Sequence, residues 1–567
     1  MIIKKIPIIL ILLLSLFLNL YGIRFGLPSK ERAKISGRIP EEKIRKVLKE
    51  KKWQRSEFIA SSEKKEIAEL TAYFDIIRSY HPDEEYTLKN LSHMNPKKFD
   101  FDTKSYIYPP FFAYQIGFGI LLGSLCHFSP LKQDIFFYLK NPEQFAKIYL
   151  AGRYIVILFA LLTVLFVYLI GKRLYNERVG LLSSLFLAVT PLFVIQSHYI
   201  KPDIPLVFWI TLSFYFALSI METRKLKYYI LSGIAAGLAM GSKYPGVLAI
   251  FPIIVAHFIA QGGLKKNRLL LGAGLSIIFF FFLSSPYTLI HFSCFWHDIS
   301  WTTEVVSKSP FYHFFNSLLY YPITMFLYTI SPFLFLVIFA SVLFALRFRT
   351  AKEFFLFSAI LPFILLMFLV KSGSETYGLP AYPFLAILAG NFFNISIFKR
   401  KISMITKPIL FFAIVGTTFY YTFSFERIAK NTDVRMETSL WVEENIPQGA
   451  RIGMDRYPVI YRMPSINPNK YVIKAGDIKE LLNEGIDYYI LISDSWGFFE
   501  PLSFFTGKPL VNNSIISLLN SKDFRIMKRF EIIPPLLGIF PKKFQFSGSF
   551  EFITPTFIIL ERKNAGK

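Results

Sequence analysis

Cysteine is nearly absent, and acidic residues are scarce relative to basic ones. Cys126 and Cys294 are the only two cysteines in 567 residues. Two are too few for a disulfide framework or a Cys/His metal knuckle. The sequence holds no phosphate-cradling glycine loop, no His-Glu-x-x-His and no nucleophile elbow. Nucleotide, zinc-protease and serine-hydrolase chemistry therefore lack their usual sequence marks. Internal repeats and low-complexity tracts are missing as well.

The shortage of acid leaves 64 Lys and Arg against 39 Asp and Glu, a net charge of +25. In a soluble protein that excess would suggest nucleic acid. Here the bases cluster in short loops between apolar runs, which is the positive-inside pattern of a membrane protein. Nucleic acid is therefore not expected as a partner.

What the chain has in quantity is apolar sequence. It is 53% hydrophobic and 18% aromatic, with a mean hydropathy of +0.42. Soluble domains reach about 45–50% apolar, so arrangement decides the class. Ile8–Leu20 is almost wholly apolar, and similar runs recur to about Phe425. A helix needs ~20 such residues to cross a bilayer, and in lipid its backbone must be satisfied internally. Lys4 and Lys5 precede the first run and no small-residue cleavage site follows, so it reads as an uncleaved first helix.

Spanning helices are predicted near 6–23, 150–170, 178–196, 203–221, 228–242, 245–260, 267–285, 322–346, 354–371, 379–398 and 407–424. Six basic clusters test their parity: Lys4/Lys5, Lys172/Arg173/Arg178, Arg224/Lys225/Lys227, Lys265/Lys266/Arg268, Arg347/Arg349/Lys352 and Lys399/Arg400/Lys401. They alternate correctly only if the run 109–127, with a Pro-Pro start and Gly117, Gly119 and Gly123, does not cross. About eleven spans result, with the N-terminus inside and the C-terminus outside. Residues 24–149 become a long outer loop with juxtamembrane helices, charged over 30–66. Ile67, Leu70, Phe74 and Ile77 have helical spacing, and His81-Pro82 should stop that helix. Residues 430–567 differ in kind. A helix at Thr438–Asn445 and the runs YYILI (488–492) and TFIIL (556–560) predict a small α/β domain outside the membrane. The fold class is thus an all-α polytopic membrane domain, 1–429, followed by a soluble α/β domain.

The carboxylates that stand out lie beside the membrane: Asp83, Glu84 and Glu85 in HPDEEY, and Asp203 in HYIKPDIPL. Ionisable groups near a bilayer are rare and tend to be functional, although Asp83 also suits a helix cap. Lys243 in GSKYPG and Arg153 at the start of a span are cations suited either to holding a lipid phosphate or to snorkelling at the interface. Tyr108 precedes the Pro-Pro helix start, and His198 lies at a helix end.

HPDEEY, YPPFFAYQIG and the long stretch RYIVILFALL through SHYIKPDIPL, followed by GIAAGLAMGSKYPGVLAIFP and SPYTLI, resemble the protein O-mannosyltransferase family and its bacterial relatives that transfer aminoarabinose to lipid A. The resemblance covers residues 80–300 well and is weaker through 380–398 and around TSLWVEENIPQGARIG. It implies a GT-C type glycosyltransferase in the plasma membrane. Such an enzyme moves a sugar from a polyprenyl-phosphate donor to a protein, lipid or glycan acceptor on the outer face. The family's acidic pair falls on Asp83 and Glu84, its second acidic position on Asp203, and its phosphate contacts on Arg153 and Lys243. Tyr108, His198 and Tyr287 are assigned to the substrate cavity. The sequence departs at ETYGLPAYP, where Thr376 stands in place of a family arginine; either that phosphate contact is lost or Lys371 replaces it. No cofactor is implied, and no metal is demanded because Arg and Lys can hold a monophosphate. The rival reading is a transporter or flippase of lipid-linked sugars, which should show related halves or broken helices.

Overall fold

The computed structural model describes residues 5–35, 42, 74–263, 267–307, 318, 321–322, 325, 329–348, 350–370, 374–394, 400–431, 433–454, 463–476, 478–492, 523–532 and 555–563. Ile67, Leu70 and Lys371, most of the charged segment 30–66, and the loop bases Lys4, Lys265, Lys266, Arg349 and Lys399 lie outside them. The chain divides into two compact units. One comprises Met1–Ile23, Tyr86–Leu122 and Ala151–Glu426; the other comprises Arg24–Glu85, Gly123–Leu150 and Arg427–Lys567.

The first unit is helical. Along the chain, five helical stretches are long and apolar enough to cross a membrane: Pro142–Leu174, Asp203–Thr223, Tyr244–Gln261, Ala351–Leu369 and Pro408–Asn445, the last of which takes in the separately capped helix Val434–Asn445. A sixth is added if Glu177–Ala188 and Pro191–Ser197 count as one span. The expected runs at 6–23, 267–285 and 322–346 fall on the shorter apolar helices Ile6–Tyr21, Arg268–Ser284 and Pro332–Arg347. These features make the chain a multi-pass membrane protein.

Two expected spans are interrupted, and proline is the cause both times. The run 178–196 bends by 62° between Ala188 and Pro191. Proline disfavours helical angles in the residue before it, and Thr190 is extended with ψ 123. Hydropathy could not show this, because the apolar character continues through the break. The run 379–398 begins as a 3-10 turn, Glu375–Ala381, around Pro380, and becomes α-helical only over Tyr382–Phe392.

Close packing fixes the helix that leads to Lys243. In Leu226–Ser242, Gly233 and Gly237 face the helix Arg268–Ser284. A Cβ at Gly233 would lie 2.5 Å from the Ala273 carbonyl oxygen, and one at Gly237 would lie 2.6 Å from that of Ile277. Helices in lipid gain little from the hydrophobic effect, so backbone approach through small residues holds them together. The helix ends at Ser242, and Lys243 follows in an extended conformation before the 3-10 turn Tyr244–Ala249.

The second unit contains a five-stranded sheet. Its strands are β1 (Arg451–Met454), β2 (Val472–Ala475), β3 (Tyr488–Ile492), β4 (Phe524–Phe530) and β5 (Phe557–Arg562), in spatial order β2-β1-β3-β5-β4. β1 pairs in parallel with β2 and β3, and β5 runs antiparallel to β3 and β4. β3 is apolar at every position because both its faces are covered. Ile490 and Ile492 join Val442, Ile446 and Ile559 on one side; Tyr489 and Leu491 join Leu481 and Ile558 on the other. The helix foreseen at Thr438–Asn445 starts earlier, at Val434, because Asp433 caps it by accepting from the Arg435 and Met436 N–H groups.

Candidate functional site

Three arrangements bring chemistry-bearing side chains together. The first surrounds Asp203, the opening residue of the helix Asp203–Thr223, where an acid suits the positive end of the helix dipole. Its carboxylate is 1% exposed. Lys243 Nζ donates to Oδ1 at 2.7 Å, and Lys201 Nζ lies 3.7 Å from Oδ2. The Thr376 hydroxyl also bonds the carboxylate, and the Lys243 ammonium sits 4.8 Å from the centre of the Tyr377 ring. Two sequence expectations thus converge, since Asp203 and Lys243 are partners. Thr376, which stands where the family has an arginine, is part of the same cluster. Two buried ammoniums thus gather at the Asp203 carboxylate. A buried ion pair is costly unless well compensated, so an anion is the ligand this cluster favours.

The second arrangement was not foreseen. Asp102 is fully buried and accepts from the Lys104 N–H at 2.9 Å and the Tyr106 hydroxyl at 2.8 Å. Its other oxygen lies 2.9 Å from Lys104 Nζ and 2.8 Å from His291 Nδ1. Burial raises the Asp102 pKa, but hydrogen bonds from the Lys104 side chain, the Lys104 backbone and Tyr106 outweigh it and hold the group below the ordinary carboxylate range. The Tyr106 N–H donates to Asp298 at 2.7 Å, and the Tyr106 carbonyl accepts from Tyr244, the neighbour of Lys243, at 2.5 Å. Tyr287 accepts from the Phe101 N–H at 3.0 Å, so this expected cavity residue anchors the loop 99–107. Tyr108 stacks edge-on against Tyr86 at 5.7 Å. The only signal in the sequence was the local run Asp100, Asp102, Lys104; their partners lie nearly 190 residues on.

Arg153 and His198 have protein partners. The Arg153 guanidinium is fully buried, donates to the Ile23 carbonyl and lies over the Tyr199 ring at 5.4 Å. His198 Nδ1 is 3.4 Å from a carboxylate oxygen of the buried Glu426.

The third arrangement lies in the other compact unit. Pro82 opens the helix Pro82–Ser92, so Asp83, Glu84 and Glu85 form its first turn and diverge around it. Glu85 pairs with Arg78 at 3.0 Å, and Arg78 pairs with Asp75 at 3.0 Å. Burial pushes Asp75 up to about 6, against the pull of Arg78. Glu84 is fully buried. Asp83 keeps 26% of its side chain exposed, and its carboxylate is 3.9 Å from His81 Nδ1. Its own N–H donates to that nitrogen at 3.2 Å. Asp83 and Glu85 are both partly exposed, at 26% and 28%, but Glu85 is paired with Arg78. Among the described residues, no group of three or more His, Cys, Asp or Glu side chains is placed to hold a metal ion.

The family model for dolichyl-phosphate-mannose-protein mannosyltransferases matches residues 143–286, the stretch that holds Arg153, Asp203 and Lys243. An uncharacterised protein of Aquifex aeolicus is 26% identical over 285 residues, covering 48% of this chain and 55% of its own. Dolichyl-phosphooligosaccharide-protein glycotransferase 2 of Pyrococcus furiosus is 35% identical over 122 residues, or 21% of this chain and 16% of its own. The chain thus spans about half the length of the first relative and a small part of the second. Among solved structures, ArnT from Cupriavidus metallidurans aligns with 88% of this chain and 97% of its own, at 12% identity and a TM-score of 0.44. Over residues 143–286 the chain resembles the protein O-mannosyltransferases, as its sequence motifs imply.

Proposed function

We propose that this protein transfers a sugar from a polyprenyl-phosphate donor to an acceptor hydroxyl or amine on a protein, lipid or glycan at the outer face of the membrane. The observation that carries the reading is the buried Lys243–Asp203–Lys201 cluster, two ammoniums gathered at one place inside the segment that the mannosyltransferase model matches. A lipid monophosphate is the anion that a membrane protein of this kind meets at such a site. In the transfer, the acceptor loses its proton to the Asp83 carboxylate and forms a bond to the anomeric carbon. The bond from that carbon to the phosphate oxygen breaks, and the polyprenyl phosphate leaves with both electrons. A single displacement inverts the anomeric centre. General base catalysis contributes ~10²–10⁴-fold, and cations aimed at the leaving phosphate stabilise the charge it gains. Asp203 holds the lysines in place. The family's counterpart arginine is replaced here by Thr376, which acts through Asp203.

One observation favours the rival transporter reading: the 62° break between Glu177–Ala188 and Pro191–Ser197. Mass spectrometry of lipid carriers and surface glycans, with and without the protein, separates the two. Transfer predicts that one glycan disappears and its lipid-linked donor accumulates. Unchanged glycan structures, with lipid-linked sugar merely redistributed between leaflets, would sink it.

A further inference from the structure

We infer that Tyr80, held by Asp433 and Arg435 at the start of the C-terminal domain, positions the Asp83 carboxylate for proton abstraction. The inference rests on the reading of Asp83 as the base. All the residues involved belong to one compact unit.

Tyr80 stands three residues before Asp83, directly ahead of His81-Pro82, and is 1% exposed. Its N–H donates to the Gly26 carbonyl at 3.0 Å and its hydroxyl to Asp433 Oδ2 at 2.5 Å. The Arg435 guanidinium lies 4.6 Å from the ring centre and that of Arg32 lies 5.3 Å from it, while Phe25 meets the ring edge-on at 5.6 Å. Gly26 has φ +67, and a Cβ there would fall 2.7 Å from the tyrosine. Every side of this ring is therefore specified.

The clamp continues into the turn. Arg32 donates to the carbonyls of Gly26, Ile76 and Arg78, which fixes the chain entering Tyr80. The His81 N–H donates to the Ser79 hydroxyl, and Asp83 donates to His81 Nδ1. Asp433 works with both oxygens. Oδ1 caps the helix Val434–Asn445 through the Arg435 and Met436 N–H groups, and Oδ2 holds Tyr80. One carboxylate thus joins the first helix of the C-terminal domain to the turn that carries the base.

Filling space would not need this. A phenylalanine packs as well as a tyrosine, and burying Arg32 and Arg435 at 1% and 2% exposure has a desolvation cost that simple packing would avoid. A misplacement of about 1 Å costs ~10²-fold in a reaction that depends on a near-attack geometry. Holding a short aspartate at a turn is where that sensitivity is greatest.

Tyr80→Phe removes the hydroxyl and keeps the ring; Asp433→Asn keeps a good cap and removes the charge. Two readouts apply to the purified full chain. Hydrogen exchange of the segment 78–92 should quicken about tenfold or more in both variants, with β1 and β3 unchanged, as expected for a local opening. With undecaprenyl-phosphate mannose, glucose, galactose and aminoarabinose offered as a panel, kcat on the sugar that is used should fall about tenfold or more, with KM unchanged. In an Asp83→Asn background the same changes should cost nothing further, because residues acting as a unit are not additive. Wild-type exchange and kcat in both variants, or losses that multiply with that of Asp83→Asn, overturn the inference. If Asp83→Asn itself turns over normally, the reading of Asp83 falls and the inference falls with it. An inactive Asp83→Asn beside fully active Tyr80→Phe and Asp433→Asn rejects the positioning role alone.

Discussion

Asp83 and Asp203 carry the same carboxylate into different surroundings. Asp203 is buried at the start of a membrane helix, between two lysines and a threonine. Asp83 is partly exposed on a clamped turn beside His81. A carboxylate engaged by two ammoniums is a poor proton acceptor and a good anchor. One that is exposed yet restrained can meet a substrate and take its proton. The difference teaches that an acid's role follows from its partners more than from its depth in the fold.

The contrast makes its largest demand on stability. Asp203→Asn removes the carboxylate that both lysines share, and breaking a buried ion pair costs about 3–5 kcal/mol. The thermal midpoint of the detergent-solubilised protein should drop markedly, and Lys243→Met in the same chain should restore part of it. Asp83→Asn should change the stability by only about 0.5 kcal/mol, because the side chain is partly exposed and its backbone contacts are kept. Equal destabilisation by the two would erase the distinction.

Ligand binding sharpens it next. Lys243→Gln should weaken binding of undecaprenyl phosphate about ten- to a hundredfold, since a charge-assisted contact contributes ~1.5–3 kcal/mol. Isothermal titration in detergent reads this directly. Unchanged affinity would make Lys243 a partner of Asp203 and nothing more.

The geometry beneath Lys243 is tested by Gly237→Ala. Its Cβ would meet the Ile277 carbonyl at 2.6 Å, so the helices must part, at a cost of about 1–3 kcal/mol. A thermal midpoint equal to wild type would show that the helix leading to the site tolerates looser packing.

The smallest effect concerns pH. Asp102 has its pKa lowered on folding, so its stabilising contribution is present above the ordinary value of 3.8 and is lost as pH falls through the lowered one. The loop 99–107 should therefore stay protected from hydrogen exchange from pH 7 down to 5, and Asp102→Asn should loosen it at pH 7. Protection that is already lost by pH 5 would contradict the ion pairing described.

Local patterns were legible in the sequence, and long-range partners were not. The run YYILI is β3 residue for residue, because a strand covered on both faces must be apolar throughout. The Pro-Pro start at 109–110 opens a helix, Pro110–Leu125, because proline suits a first turn. The run TFIIL likewise overlaps β5, but three strands escaped notice: β1 and β2 have only four residues each, and β4 is broken by Arg525, Lys528 and Arg529. Asp203 and Lys243 each stood out, but their contact spans 40 residues and follows from how two helices pack. Asp102 and His291 offered less still, since a lone acid and a lone histidine in separate loops have no shared pattern. Thr376 taught the converse. Its departure from the family was visible in the sequence, yet its bond to Asp203 came only with the fold.

Asp83 is the centre of the proposed chemistry. The direct measurement is the turnover, by the wild type and by Asp83→Asn, of whichever undecaprenyl-phosphate sugar the protein uses, with donor affinity measured on the same samples. The predicted result is a loss of ~10²-fold or more in rate with affinity unchanged. Turnover at the wild-type rate in Asp83→Asn, with activity lost in Glu84→Gln instead, would contradict it.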